Sequence, residues 1–204
     1  MQHEVNQNGE SVDVTGGNKL GSNPVTDPKQ TVQLDGKSIS LNMILGPKES
    51  KKIKSEQAQY LKKMSHLHLE NKKIEIIENL QNCPNLTHVY LQENLIYTLV
   101  NDPFKSLANI VQLNLYENQI DQMEGFLELV NLKRLYLEKN QISKLDGLDN
   151  CRKLEELYLG NQELPPGTEF TFDEYSLAAI SNSLRFLELP NSNVVSPKPL
   201  YYLE

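Results

Sequence analysis

The sequence predicts an α/β solenoid: short strands forming a parallel sheet on a concave side, with short helical or 3-10 segments returning along a convex side. Three observations carry this. The pattern L-x-x-L-x-L-x-x-N-x-L recurs from residue 64, its second leucine pair reading Leu67/Leu69, Val89/Leu91, Leu113/Leu115, Leu135/Leu137, Leu157/Leu159 and Leu187/Leu189. The steps between these pairs are 22, 24, 22, 22 and 30 residues. Beyond each pair, further apolar positions keep phase: Ile74, Ile77, Leu80 and Cys83 in the first unit return as Ile142, Leu145, Leu148 and Cys151 in the fourth. One such unit cannot enclose its own leucines, so neighbours must stack to build a core.

Taken in order, residues 1–30 are rich in Gln, Asn, Gly, Ser and Asp and hold too little apolar surface to offset ordering, so they read as a disordered polar tail. Residues 31–63 form an N-terminal capping segment and helix. The part over 31–46 reads as an edge hairpin or extended segment around Asp35-Gly36, and Pro47 then opens a helical stretch. Ile53, Gln57, Tyr60, Leu61 and Met64 share one helical face, with lysines mainly elsewhere. A cap over the open end of the array and a basic interaction helix are the two roles that fit, and stacked arrays need the former.

Residues 64–204 are six repeats, the last incomplete. Asn94, Asn118 and Asn140 fill the slot after the strand, where a side-chain amide satisfies buried backbone groups. Lys72, Gln162 and Ser192 break that ladder, so it is expected to weaken at both ends. The fifth repeat is longer by eight residues, with PPGTEFTF followed by Asp173 as N-cap of a convex helix, in which Tyr175 or Leu177 packs inward with Ile180. After Val194, Leu200 and Leu203 no amphipathic capping helix follows, which is the pattern of a truncated chain.

Charge narrows the function. The chain carries 20 Lys and Arg against 27 Asp and Glu, a net charge of -7, and the excess of acid falls within the repeats. Nucleic acid and anionic membranes both need basic surface, so a basic patch on another protein is the expected partner. No apolar run reaches the length of a membrane span, and the start of the chain lacks the pattern of a secretory signal. Cytosolic or nuclear residence is the default expectation. Cys83 and Cys151 occupy equivalent core places three repeats apart, about 15 Å at the usual strand spacing, too far for a disulfide. Nucleophile-elbow and zinc-protease motifs are missing, so no enzyme activity and no cofactor are expected.

Strand alternation sends the third, fifth, seventh and eighth places of each repeat to the concave face. The candidate partner-binding residues there are His66, His68, His88, Tyr90, Glu93, Tyr116, Glu117, Arg134, Tyr136, Glu138 and Tyr158. Outward tyrosines on a rigid sheet give contact area at low entropic cost, and an acidic rim steers a basic partner. A solvated face whose tyrosines only support one another is the competing reading. The three histidines lie near one another but lack a clear fourth ligand, so no metal site is expected.

The irregular parts carry a family resemblance. TVQLDGKSISLNMILG with LKKMSHLHLENKKIE, and the fifth repeat with Asn161-Gln162, Leu164-Pro165, Gly167, Phe172-Asp173 and Ser183-Leu184, resemble the testis-type leucine-rich-repeat regulators of protein phosphatase 1, the regulatory-subunit-42 family. The resemblance covers about residues 31–204. It implies a non-enzymatic phosphatase regulator associated with the cytoskeleton, centrosomes or cilia, whose partner is the catalytic subunit of protein phosphatase 1. A structural component that binds tubulin or dynein is the alternative, and the detached repeat region of an enzyme a weaker third. Lys37-Ser38-Ile39-Ser40-Leu41 approaches the basic-x-Val/Ile-x-Phe/Trp docking sequence of phosphatase regulators but ends in Leu.

Overall fold

The computed structural model describes residues 37–194. The expectations for residues 1–36, and those for Leu200 and Leu203, lie outside the described residues. The elements in chain order are α1 (Leu41–Glu49), α2 (Lys54–Lys63), β1 (His66–His68), β2 (His88–Tyr90), β3 (Gln112–Asn114), β4 (Arg134–Tyr136), β5 (Lys144–Leu145), β6 (Glu156–Tyr158), β7 (Thr171–Phe172), α3 (Glu174–Ile180) and β8 (Phe186–Glu188).

Six strands form one parallel sheet in the order β1-β2-β3-β4-β6-β8. Register is set by the repeat itself: Leu67 pairs with Val89, Leu113 with Leu135, Leu135 with Leu157, and Leu157 with Leu187. Equal repeat lengths put equal places side by side, so one column of side chains is apolar and buried and the next faces out. Val89, Leu113, Leu135 and Leu157 are fully buried. The core continues beneath them through Ile96, Phe104, Phe126, Leu148 and Cys151.

Three-residue strands cannot satisfy the turns that follow them, and the asparagine slot does so. Asn140 accepts from the Ile120 N–H at 3.0 Å and donates to the Leu115 and Leu137 carbonyls, both at 3.0 Å. Asn118 and Asn94 repeat the arrangement one and two turns earlier. Contrary to expectation, Gln162 continues the ladder: its amide accepts from the Ile142 N–H at 2.9 Å and donates to the Leu137 and Leu159 carbonyls at 2.8 and 2.9 Å. One extra methylene is absorbed where the ladder nears its end. Ser192, too short to reach, leaves its buried hydroxyl without a partner among the described residues. The residue before each slot (Asn71, Glu93, Glu117, Lys139, Asn161, Asn191) has a left-handed backbone, with φ between 51° and 57°.

The expected turn at Asp35-Gly36 lies outside the described residues. Lys37–Ser40 runs extended, with Ser38 bridging to Ile76, but from Leu41 the chain is helical rather than extended, Ser40 capping α1 by accepting from the Met43 N–H at 3.3 Å. Gly46, at φ 70°, kinks α1 ahead of Pro47, a position where the missing proline N–H costs nothing. On α2 only Leu61 is buried, while Ile53 is 66% exposed and Tyr60 also faces out. Gln57 ties the helix down instead, donating to the Ser50 and Lys52 carbonyls at 3.1 and 2.9 Å.

The long fifth repeat does more than loop. Its chain returns as β7, which pairs in parallel with β5 away from the main sheet. Asp173 then caps α3 by accepting from the Ser176 N–H at 2.9 Å. Leu177 and Ile180 point into the core and Tyr175 is 79% exposed, which settles which residue of that helix packs. Ser176 is buried and accepts from the Leu148 N–H at 3.1 Å, joining α3 to the preceding repeat.

Candidate functional site

All the sequence-predicted positions lie on or at the edge of the strand face, but they gather into separate groups. In-register neighbours stack because parallel strands hold equal places about 4.8 Å apart, a spacing that suits flat rings. His66 stacks on His88 with ring centroids 4.5 Å apart, and His68 on Tyr90 at 4.6 Å. At the other end Tyr136 stacks on Tyr158 at 4.6 Å, and Tyr158 meets Phe186 at 5.1 Å. Asn114 occupies the same column between Tyr90 and Tyr136, so the two aromatic groups are distinct. Tyr116 sits past β3 with the Lys139 ammonium 5.0 Å above its ring.

Several charges predicted to greet a partner are already matched inside the chain. Lys139 reaches Glu117 at 3.0 Å, and this bond holds the Glu117 carboxyl below its ordinary pKa. Arg134 Nε donates to Glu156 at 3.1 Å, raising the guanidinium pKa further, and the Tyr158 hydroxyl donates to the other Glu156 oxygen at 3.2 Å. His68 Nδ1 lies 2.8 Å from Glu70. Glu93 is exposed in its left-handed turn, past the end of β2. Burial lowers the His88 pKa, with the neighbouring His66 adding to it. Burial also raises the phenol pKa of Tyr136 and of Tyr158, Glu156 reinforcing it in both.

Glu138 differs from the other acids. It is half-buried, its Oε2 has no hydrogen-bond partner among the described residues, and burial raises its pKa, with Glu188 contributing. Glu156, Phe186 and Glu188 belong to this end of the face but were not among the candidate residues. Their third- and fifth-place positions were the available signal. The phosphatase-docking approximation at Lys37–Leu41 does not survive as a presented motif, because Ile39 is fully buried and its N–H bonds the Ile76 carbonyl at 3.3 Å.

Among the described residues no three His, Cys, Asp or Glu side chains converge to hold a metal, and no helix is long and apolar enough to cross a membrane. Cys83 and Cys151 are buried free thiols, pushed up to about 11 and about 12 by burial.

Comparison with known proteins agrees with this geometry. One leucine-rich-repeat family model matches residues 84–142, and a second, of two repeat copies, matches residues 130–170. An internalin from Listeria monocytogenes superposes with a TM-score of 0.61 at 25% identity, over 72% of this chain and 40% of that one. The chain thus spans about two fifths of that internalin's length. Internalin C2 of the same organism gives a TM-score of 0.46 at 26% identity, covering 72% of this chain and 70% of its own. A pollen receptor kinase 3 gives 0.44 at 23% identity, covering 65% and 76%.

Proposed function

We propose, taking as premise that this chain is a leucine-rich-repeat solenoid of α/β type, that it is a non-enzymatic interaction scaffold that docks a basic protein surface on its concave face, and that the partner is the catalytic subunit of protein phosphatase 1. The observation that supports docking is the aromatic group of Tyr136, Tyr158 and Phe186 left outward on a rigid sheet, with Phe186 46% exposed. Folding does not need aromatic rings on this side, since the core is complete beneath them, and large flat side chains here supply contact area at little entropic cost. Leucine-rich-repeat solenoids offer such a face to protein partners. The phosphatase assignment rests on the resemblance of the fifth repeat, and the burial of Ile39 speaks against the Lys37–Leu41 segment as the docking element.

Calorimetric titration with the phosphatase catalytic subunit tests this. Binding at micromolar strength or tighter, about -8 kcal/mol, is expected for the native chain, with loss in Tyr136→Ala/Tyr158→Ala at an unchanged far-UV spectrum. No binding, together with co-sedimentation on microtubules, would move the assignment to a cytoskeletal component that binds tubulin or dynein.

A further inference from the structure

Charge on the concave face is only partly matched within the chain. Glu70, Glu117 and Glu156 each lie within 3.1 Å of a basic side chain of their own chain. Among the described residues Glu93, Glu138 and Glu188 have no such partner, and Glu93 projects from an exposed turn. Glu138 and Glu188 instead flank the aromatic group. Glu138 follows Tyr136 by two places on the same side of its chain, and Glu188 pairs in register with Tyr158. The next repeat has Gly160 in the place equivalent to Glu138, and the space that a side chain would take there is filled by the Pro190 ring, which carries no donor to meet the carboxylate. A carboxylate oxygen buried without a donor is costly, and turning the Glu138 carboxylate outward to a partner's donor relieves that cost.

We propose that Glu138 and Glu188, with the Tyr136–Tyr158 stack, form the seat for an arginine side chain of the protein partner. This deepens the docking reading and rests on it. Arginine fits better than lysine because its planar fork can donate to two carboxylates while lying on aromatic rings, whereas an ammonium is a point donor that keeps its hydration more tightly.

The test uses the full chain and two labelled probes, hexa-arginine and hexa-lysine, titrated by fluorescence anisotropy at low salt. Glu138→Gln/Glu188→Gln preserves shape and is expected to weaken hexa-arginine by about tenfold. Glu169→Gln/Glu174→Gln removes the same charge from the exposed fifth-repeat insertion and is expected to change binding less than about twofold. Hexa-lysine is expected to bind the native chain several-fold more weakly than hexa-arginine. Equal losses in the two glutamine variants, no loss in the first, or equal binding of the two peptides would each overturn the seat. Failure here differs visibly from failure of the docking reading. Phosphatase binding that survives Glu138→Gln/Glu188→Gln removes the seat and keeps the docking face. Glutamate-dependent arginine binding with no phosphatase binding keeps the seat and removes that partner.

Discussion

At the scale of single residues, the post-strand amide is the most exacting position in the chain. Asn140 is fully buried and answers one N–H and two carbonyls in two neighbouring turns, so no other side chain of its size serves them all. Asn140→Ala is expected to cost about 3 kcal/mol, because it strands three buried backbone groups, and urea denaturation monitored by circular dichroism would measure it. Less than about 1 kcal/mol would mean that water replaces the amide, and that the ladder is not what fixes the turns. Asn94, Asn118 and Asn140 were legible in the sequence because the slot has a fixed place. Gln162 was not, because residue type was read too literally: a longer amide with the same donor and acceptor reaches the same backbone atoms. The left-handed residue before each slot was also invisible, since Glu93, Glu117 and Lys139 are ordinary helix formers whose conformation is imposed by the turn.

At the scale of elements, the long repeat shows what periodicity can and cannot reveal. Asp173 announced α3 by its type and position, and the helix begins directly after it. Asp173→Ala is expected to destabilise the protein by about 1 kcal/mol and to speed amide exchange selectively over residues 174–180, measured by hydrogen exchange with mass spectrometry. Uniform loss of protection along the chain would argue that the cap stabilises the whole solenoid rather than its own helix. The β5–β7 pair escaped the sequence because two-residue strands carry no alternation to detect. The part of α1 before Pro47 was missed for a related reason. Leu41–Leu45 is too short to display a 3.6-residue period, and its start depends on one serine, Ser40, accepting from Met43. The site was legible by column but not by group. Alternation named the outward residues, whereas which rings stack and which acids are already matched depends on the neighbours' side chains.

At the scale of the whole molecule, each turn touches only the turns beside it, so protection should vary along the array. Leu187 and Leu189 are only partly buried, while their counterparts Leu135 and Leu137 are sealed completely. Amide exchange is therefore expected to be slowest through β3 and β4 and fastest at β8, and identical rates at both places would show that the array opens as one unit. In-register stacking has one more consequence. Six strands at about 4.8 Å make the face a ruler about 24 Å long, graduated once per repeat. A helix laid along it would be read over about 16 residues, and an extended segment over about seven. A partner shorter than about 10 Å, the two spacings from β2 to β4, would meet either the histidine graduations or the tyrosine ones, and only a full-length segment would be read against every graduation.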